Sequence, residues 1–151
     1  MANYANGPYT ISTDHKLLDV DIIQGYLSSS YWASGRTREI VEKSIANSLC
    51  FGVYHGDDQI GLARVVTDYA TFAWICDVFI LEPYRGKGLG KWLISVVVNS
   101  PELHEINRLI LATRDAHGLY SQMGFVPLKN PERWMEKRKD QVYLDTRRQA
   151  V

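Results

Sequence analysis

The segment "EPYRGKGLGKWL", residues 82–93, constrains the fold of this chain more than any other stretch. An apolar run ends where the segment begins, three glycines follow, and an apolar stripe with helical spacing starts at Leu89. A glycine-rich loop at the start of a helix presents backbone N–H groups at the positive end of the helix dipole. The segment therefore predicts a strand, a phosphate-binding loop and a helix in succession.

The two commonest nucleotide-binding loops do not match this segment. A Walker A loop needs glycine at the position of Arg85, and serine or threonine at the position of Trp92. The dinucleotide fingerprint G-x-G-x-x-G fits at Gly86 and Gly88, but Lys91 stands where the third glycine must let the helix pack closely on the strand. The glycines therefore belong to another kind of phosphate loop.

The rest of the sequence predicts an α/β fold of the mixed α+β kind, with helices flanking a mixed sheet. The turn residues of "HGDDQ" predict a β-hairpin, and the long apolar run over 71–83 predicts a central strand buried on both faces. The predicted helices are 19–28, 37–48, 89–100 and 116–125. In the second of these, Thr37 is the predicted N-cap, and Ile40, Val41 and Ile45 lie on one side. The predicted strands are 49–56, 59–68, 71–83 and 107–115, with candidate closing strands at 125–128 and 133–140.

Composition limits the class of protein. The 151 residues suit one domain, so we expect a single unit over 1–151 with a peripheral polar tail at 141–151. Seventeen lysines and arginines balance seventeen aspartates and glutamates, which argues against a nucleic-acid partner. Apolar runs are too short for a membrane span, and Cys50 and Cys76 lie inside apolar runs. We therefore expect a cytoplasmic protein with buried, reduced thiols.

A second motif indicates which phosphate loop this is. The pattern Arg-x-x-Gly-x-Gly at Arg85, Gly88 and Gly90 is followed about thirty residues later by "GLYSQMGF", residues 118–125. Taken together over about residues 49–126, the two motifs resemble the GCN5-related N-acetyltransferase (GNAT) family. This resemblance implies a central mixed, mostly antiparallel sheet flanked by helices, and acetyl-CoA as the cosubstrate.

The resemblance also implies where the coenzyme would bind. The pyrophosphate would be held by backbone amides of the glycine loop, and the pantetheine arm by backbone groups of the preceding strand. The loop residues are Arg85, Gly86, Lys87, Gly88, Leu89 and Gly90, and the strand residues are Val78, Phe79 and Ile80. Thr113 stands where many members of the family have an asparagine that touches the cofactor.

Four residues are candidates for catalysis or acceptor binding. Spacing alone favours a core role for Tyr120, but the resemblance implies that it protonates the leaving thiolate. Asp77, an acid inside an apolar strand, is a candidate for a base or for substrate binding, with a structural carboxylate as the alternative. Tyr31 and Trp32, in the loop between the first two helices, are candidates for the acceptor pocket or for plain packing.

These observations lead to the expectation of an N-acetyltransferase that transfers an acetyl group from acetyl-CoA to a primary amine by direct attack in a ternary complex. The alternative is a non-catalytic module or sensor of the same fold that binds CoA. The acceptor is a small-molecule or peptide amine, and homodimers are common in the family. His15, His55 and His104 have no ligand spacing, so we expect no metal.

Overall fold

The computed structural model describes residues 2–139, in which six strands form one sheet in the order in which they follow one another along the chain. Each strand is antiparallel to the next except the last pair, which is parallel. The strands are β1 (Asn3–Asn6), β2 (Tyr9–Ser12), β3 (Leu49–His55), β4 (Asp58–Thr67), β5 (Ala73–Ile80) and β6 (Leu109–Leu111). The predicted mixed, mostly antiparallel sheet is therefore confirmed.

Residues 2–139 contain four α-helices and several 3₁₀ turns, most of them between strands and the last ones after β6. The helices are α1 (Val20–Ser29), α2 (Arg38–Ala46), α3 (Leu89–Val98) and α4 (His117–Ser121), and the 3₁₀ turns are His15–Leu17, Glu82–Tyr84, Pro101–Leu103 and Pro131–Arg133. The predicted N-cap is confirmed, because the Thr37 hydroxyl accepts a hydrogen bond from the Ile40 N–H at 3.2 Å. Such a cap satisfies one of the backbone donors that the first turn leaves unpaired.

Two apolar cores lie on the two faces of the sheet. The α3 stripe, which includes Leu89 and Leu93, packs into one core with Ile80 of β5. Helices α1 and α2 close the other core, which contains Phe79, the neighbour of Ile80 on the same strand. Because successive strand residues point to opposite faces, the sheet lies between these two helical layers. Full burial of a leucine or isoleucine contributes about 1.5–3 kcal/mol to folding.

The structure corrects several predictions of secondary structure. Neither 125–128 nor the described part of 133–140 forms a strand, since Pro127 lacks a ladder donor and the second segment is rich in charge. The strand β1 was not predicted at all. Ile40 is 52% exposed, so it does not belong to the buried side of α2. Trp74 is 40% exposed, so β5 is not buried on both faces along its whole length. The predicted tail at 141–151 lies outside the described residues.

A local irregularity in β5 lies at Asp77, one of the candidate site residues. The register between β4 and β5 shifts between Leu62 and Arg64, and Asp77 opposite this shift has a positive φ of 49°. Such a bulge re-aims side chains and is common next to functional sites. The parallel partner β6 pairs with β5 only over residues 73–75. In the described chain, the C-terminal half of β5 therefore has no strand along its second edge.

Candidate active site

The glycine loop enters α3 in a conformation that only glycine adopts readily. Gly86 and Gly88 both have a φ of 77°, in the left-handed region, and Gly88 is the N-cap residue of α3. A Cβ atom built at either glycine would meet nothing within 4 Å, so open space lies in front of the loop. The predicted glycine loop before a helix is thus confirmed, and its backbone is open to close approach by a ligand, while phosphate binding stays a prediction.

Unpaired N–H groups face this open space. The first helical bond of α3 runs from the Trp92 N–H to the Gly88 carbonyl at 3.0 Å. Within residues 2–139 the structure gives no hydrogen bond to the N–H groups of 86–91, whereas the Arg85 N–H donates to the Glu82 carbonyl. A helix N-terminus with free donors is an anion site. The free donors of the loop therefore begin at Gly86 rather than at Arg85.

The Arg85 side chain turns away from the loop. Its Nε donates to the Ile80 carbonyl at 2.9 Å, and its Nη2 donates to the Tyr26 hydroxyl at 3.0 Å. These bonds tie the end of β5 to α1. The remaining cation of the loop is Lys87, which is exposed. Arg85 consequently fixes the position of the loop, while Lys87 is placed to attract an anion.

The three predicted strand residues divide between the two faces of the sheet. Val78 and Ile80 pack against the α3 core. Phe79 is stacked on the ring of Tyr26, with centroids 4.1 Å apart, and is buried below α1. The backbone of all three residues lies beyond the segment that pairs with β6. An extended ligand can therefore lie along this edge of β5 and form hydrogen bonds as an added strand would.

Asp77 lies at the centre of a buried charge cluster. Its Oδ2 accepts from Arg64 Nε at 2.8 Å and from Arg36 Nη1 at 2.7 Å, and its Oδ1 accepts from Trp32 Nε1 at 2.8 Å. Arg64 is itself held by a bond from Nη1 to the Ser48 hydroxyl at 3.0 Å. These contacts match the alternative prediction for Asp77, a structural carboxylate bonded to a nearby arginine.

The electrostatics of the cluster keep Asp77 ionised. Burial raises the pKa of its carboxyl, but the charges of Arg64 and Arg36, together with the hydrogen bonds from Arg64 and Trp32, outweigh burial and lower the pKa. A carboxylate with both oxygens occupied and a lowered pKa has little tendency to accept a proton. The geometry favours a role for Asp77 in holding the loop after α1.

Tyr120 is buried on α4 and is free to donate a proton. Its ring packs edge to face on Phe125 at 5.8 Å. Its side chain is 8% exposed overall, and no hydrogen-bond partner for the hydroxyl occurs among residues 2–139. Burial raises the pKa of this phenol, and the nearby Tyr31 raises it further. The phenol proposed as the acid is therefore protonated at neutral pH.

A cation that the sequence analysis did not identify lies beside the predicted acceptor residue Tyr31. The Arg114 guanidinium lies over the Tyr31 ring, 3.8 Å from its centroid, and Tyr31 meets Trp32 edge to face at 5.1 Å. Arg36 was missed in the same way, because neither arginine belongs to a motif. Arg64 carried a signal, since it is the one charge in the apolar run over 60–66.

Thr113 has a local structural role. Its hydroxyl accepts a hydrogen bond from the Ala116 N–H at 3.0 Å, which closes the turn before α4.

A cavity of about 580 Å³ lies between α1 and the segment after β5, and Tyr26 and Arg85 are among its lining residues. The cavity is large enough for part of a small ligand.

The thiols are not activated. Burial raises the pKa of Cys50 to about 12 and that of Cys76 to about 11, although Arg64 acts in the opposite direction. Both cysteines are free, but only Cys50 is the buried core thiol that the sequence predicted, since Cys76 is partly buried. His15 bonds the carbonyls of Ile45 and Ser48, both at 2.9 Å, and so links the first 3₁₀ turn to the end of α2.

Two features are absent from residues 2–139. No group of three or more histidine, cysteine or acidic residues is placed to hold a metal ion. No helix in this part of the chain is long and apolar enough to cross a membrane.

Comparison with known proteins identifies the family. The chain belongs to the Acetyltransferase (GNAT) family, whose pattern matches residues 19–125. A relative from Gibberella zeae, provisionally named an acetyltransferase, is 30% identical, and the match covers 80% of each chain. A crystal structure from Xanthomonas campestris, provisionally assigned to the same family, is 43% identical with a TM-score of 0.84, covering 86% of this chain and 92% of that one.

A more distant structure supports the fold alone. A Staphylococcus aureus protein of unknown function is 24% identical, with a TM-score of 0.69, and the match covers 86% of this chain and 98% of that one. The six-stranded sheet and its flanking helices are therefore kept where most of the sequence has changed.

Proposed function

We propose that this protein transfers an acetyl group from acetyl-CoA to a primary amine by direct attack in a ternary complex. One observation carries the proposal: the anion-binding loop of α3 lies at the open edge of β5, and Tyr120 follows β6, the next strand of the sheet. This arrangement supports the proposal, because a glycine loop, an unpaired strand edge and a buried tyrosine lie on neighbouring elements.

The residues present fit the coenzyme. The free N–H groups of 86–91 and the open space at Gly86 and Gly88 suit a pyrophosphate. The edge of β5 over Val78, Phe79 and Ile80 suits an arm that carries amide groups. When bound, the coenzyme would supply a thioester activated for acyl transfer, and β5 backbone donors would polarise its carbonyl.

Tyr120 is the proposed general acid. A thiolate leaving group needs a proton, and a free thiol has a pKa of about 8.5. Because burial raises the pKa of Tyr120 above its ordinary value, the phenol holds its proton at neutral pH. General acids of this kind contribute about 10²–10⁴-fold to a rate.

The amine must lose its proton before it attacks. A lysine-like amine is neutral about once in 2,500 molecules at pH 7, which corresponds to about 4–5 kcal/mol. Asp77 is a poor base for this step because three donors occupy its oxygens. We assign Asp77 to substrate binding, because it holds Trp32 and Arg36 in position. We assign deprotonation of the amine to water or to desolvation of the amine.

Direct attack is favoured over an acyl-enzyme route. Cys76 and Cys50 have raised pKa values, so neither supplies a thiolate near neutral pH. The reduced state of both thiols is also what we expect of a cytoplasmic protein, and we retain that location as part of the proposal.

A thiol-release assay across a panel of amines tests the proposal. We expect coenzyme A release that depends on both acetyl-CoA and one class of amine. The alternative function, a CoA-binding module, predicts acetyl-CoA binding by calorimetry with no release for any amine. Stabilisation by ATP or NAD, without any by acetyl-CoA, would contradict both functions.

A further inference from the structure

Within residues 2–139, the Asp77 cluster on the acceptor side offers no free carboxylate oxygen, and the exposed Asp115 lies near Arg114 instead. Asp77 is buried there, and Trp32, Arg36 and Arg64 occupy its two oxygens. Two guanidinium groups around one carboxylate leave the cluster with a net positive charge. An ammonium group arriving at this position gains no ion pair and meets two cations. A polyamine or another multiply charged cation is therefore a poor match.

Two arginines keep hydrogen-bonding capacity toward the same side. Arg36 is partly exposed, and its bond to Asp77 uses one of five guanidinium N–H donors. Arg114 is 65% exposed and lies over Tyr31, and its one ion pair within residues 2–139 is a 4.0 Å contact with the exposed Asp115. Tyr31 meets Trp32 edge to face at 5.1 Å, and Trp32 donates to the same carboxylate as Arg36. Free arginine donors thus lie on both sides of the Tyr31–Trp32 pair.

From this juxtaposition we propose that the amine acceptor carries an acidic group, a carboxylate or a phosphate, which Arg36 and Arg114 bind around the Tyr31–Trp32 pair. Guanidinium groups match both oxyanions with paired N–H donors. The partly exposed rings of Tyr31 and Trp32 supply an apolar wall for the rest of the molecule. This inference rests on the proposed function, because it names the substrate class of the same site.

The test compares acceptors that differ only in the acidic group. Calorimetry measures the affinity of amino acids, of their carboxamides and of aminoalkyl phosphates for the protein saturated with coenzyme A. We expect at least one acid to bind about tenfold to a hundredfold more tightly than its amide, which is the usual contribution of charge-assisted hydrogen bonds. The carboxylate and phosphate arms show which oxyanion the arginines prefer.

Two variants link the preference to the arginines. In Arg114→Gln the ratio of acid to amide affinity is expected to fall about tenfold, and this exposed side chain has no buried bond whose loss could unfold the protein. Arg36→Gln should lower the ratio as well. Arg38→Gln is the matched control, because it removes the same charge from an arginine already bound to Asp21 and Glu42.

The outcomes separate the two proposals. Equal affinity for acid and amide, binding of neither, or an unchanged ratio in Arg114→Gln would overturn the acidic acceptor. Thiol release with neutral amines alone would overturn it too, while leaving the acetyltransferase intact. Conversely, acid-selective binding that disappears in Arg114→Gln, combined with no thiol release for any amine, would support the arginine site and reject the proposed reaction.

Discussion

The proposed coenzyme side and the proposed acceptor side of this site are built in different ways. The coenzyme side consists of consecutive residues, 86–91, and acts through backbone N–H groups. The acceptor side consists of side chains that are distant in sequence, because Arg64, Arg36 and Trp32 reach Asp77 across 13, 41 and 45 positions. A backbone site depends on glycine conformations, whereas a side-chain site depends on tertiary packing, so the acceptor side can change without altering the coenzyme loop.

The largest expected effect lies where the two sides meet, at Tyr120. In Tyr120→Phe we expect kcat to fall about 10²–10⁴-fold, because the leaving thiolate loses its proton donor, while acetyl-CoA affinity stays within about twofold. Stopped-flow detection of thiol release and calorimetry measure the two quantities. Tyr69→Phe, in the exposed turn after β4, is the matched control. An unchanged kcat in Tyr120→Phe would remove this residue from the mechanism.

Breaking the acceptor side should destabilise the protein. In Asp77→Asn we expect a loss of about 3–5 kcal/mol in the free energy of unfolding, because the buried Arg64 loses its counter-charge. Urea denaturation measures this loss. If the folded variant keeps full acetyl-CoA affinity and loses acceptor affinity, the two sides are independent. A loss of acetyl-CoA affinity alone would show that Asp77 belongs to the coenzyme side.

The same carboxylate predicts a dependence of stability on pH. The pKa of Asp77 is lower in the folded protein than in the unfolded chain, so its contribution is complete above the unfolded value of about 3.9. The contribution is lost as pH falls through the lowered folded pKa. We therefore expect acid unfolding to be steeper in the parent protein than in Asp77→Asn. Identical acid profiles would mean that the ion pairs do not stabilise the fold.

Sequence patterns predicted the glycine loop and the helix after it, because both are local features. The helix start at Leu89 is confirmed, and the structure adds that Gly86 and Gly88 have a positive φ. Arg36 and Arg114 could not be predicted, because their partners are fixed only when α1, α2 and β6 pack together. The closing strands were predicted wrongly at 125–128, since periodicity cannot show whether a neighbouring edge is available for pairing.

A substitution in the loop should affect the coenzyme side alone. In Gly88→Val we expect acetyl-CoA to bind about tenfold to a hundredfold more weakly, because a β-branched residue resists a φ of 77° and its side chain fills the open space. Gly56→Val is the matched control: Gly56 has a φ of 61° and open space in the β3–β4 turn. Both variants should lose similar stability. Equal acetyl-CoA affinity in the two would place the pyrophosphate elsewhere.

The smallest expected effect tests how the acceptor side is held. Thr37 caps α2 directly after Arg36, so Thr37→Ala should cost about 1 kcal/mol of stability and loosen the first turn of the helix. Arg36 lies directly before this turn, and its side chain donates a hydrogen bond to Asp77. We therefore expect a modest rise in KM for the amine, with kcat and acetyl-CoA affinity unchanged. Thr37→Ser keeps the capping hydroxyl and should restore KM. A rise that the serine variant does not reverse would mean that packing of the threonine methyl group, rather than the cap, positions Arg36.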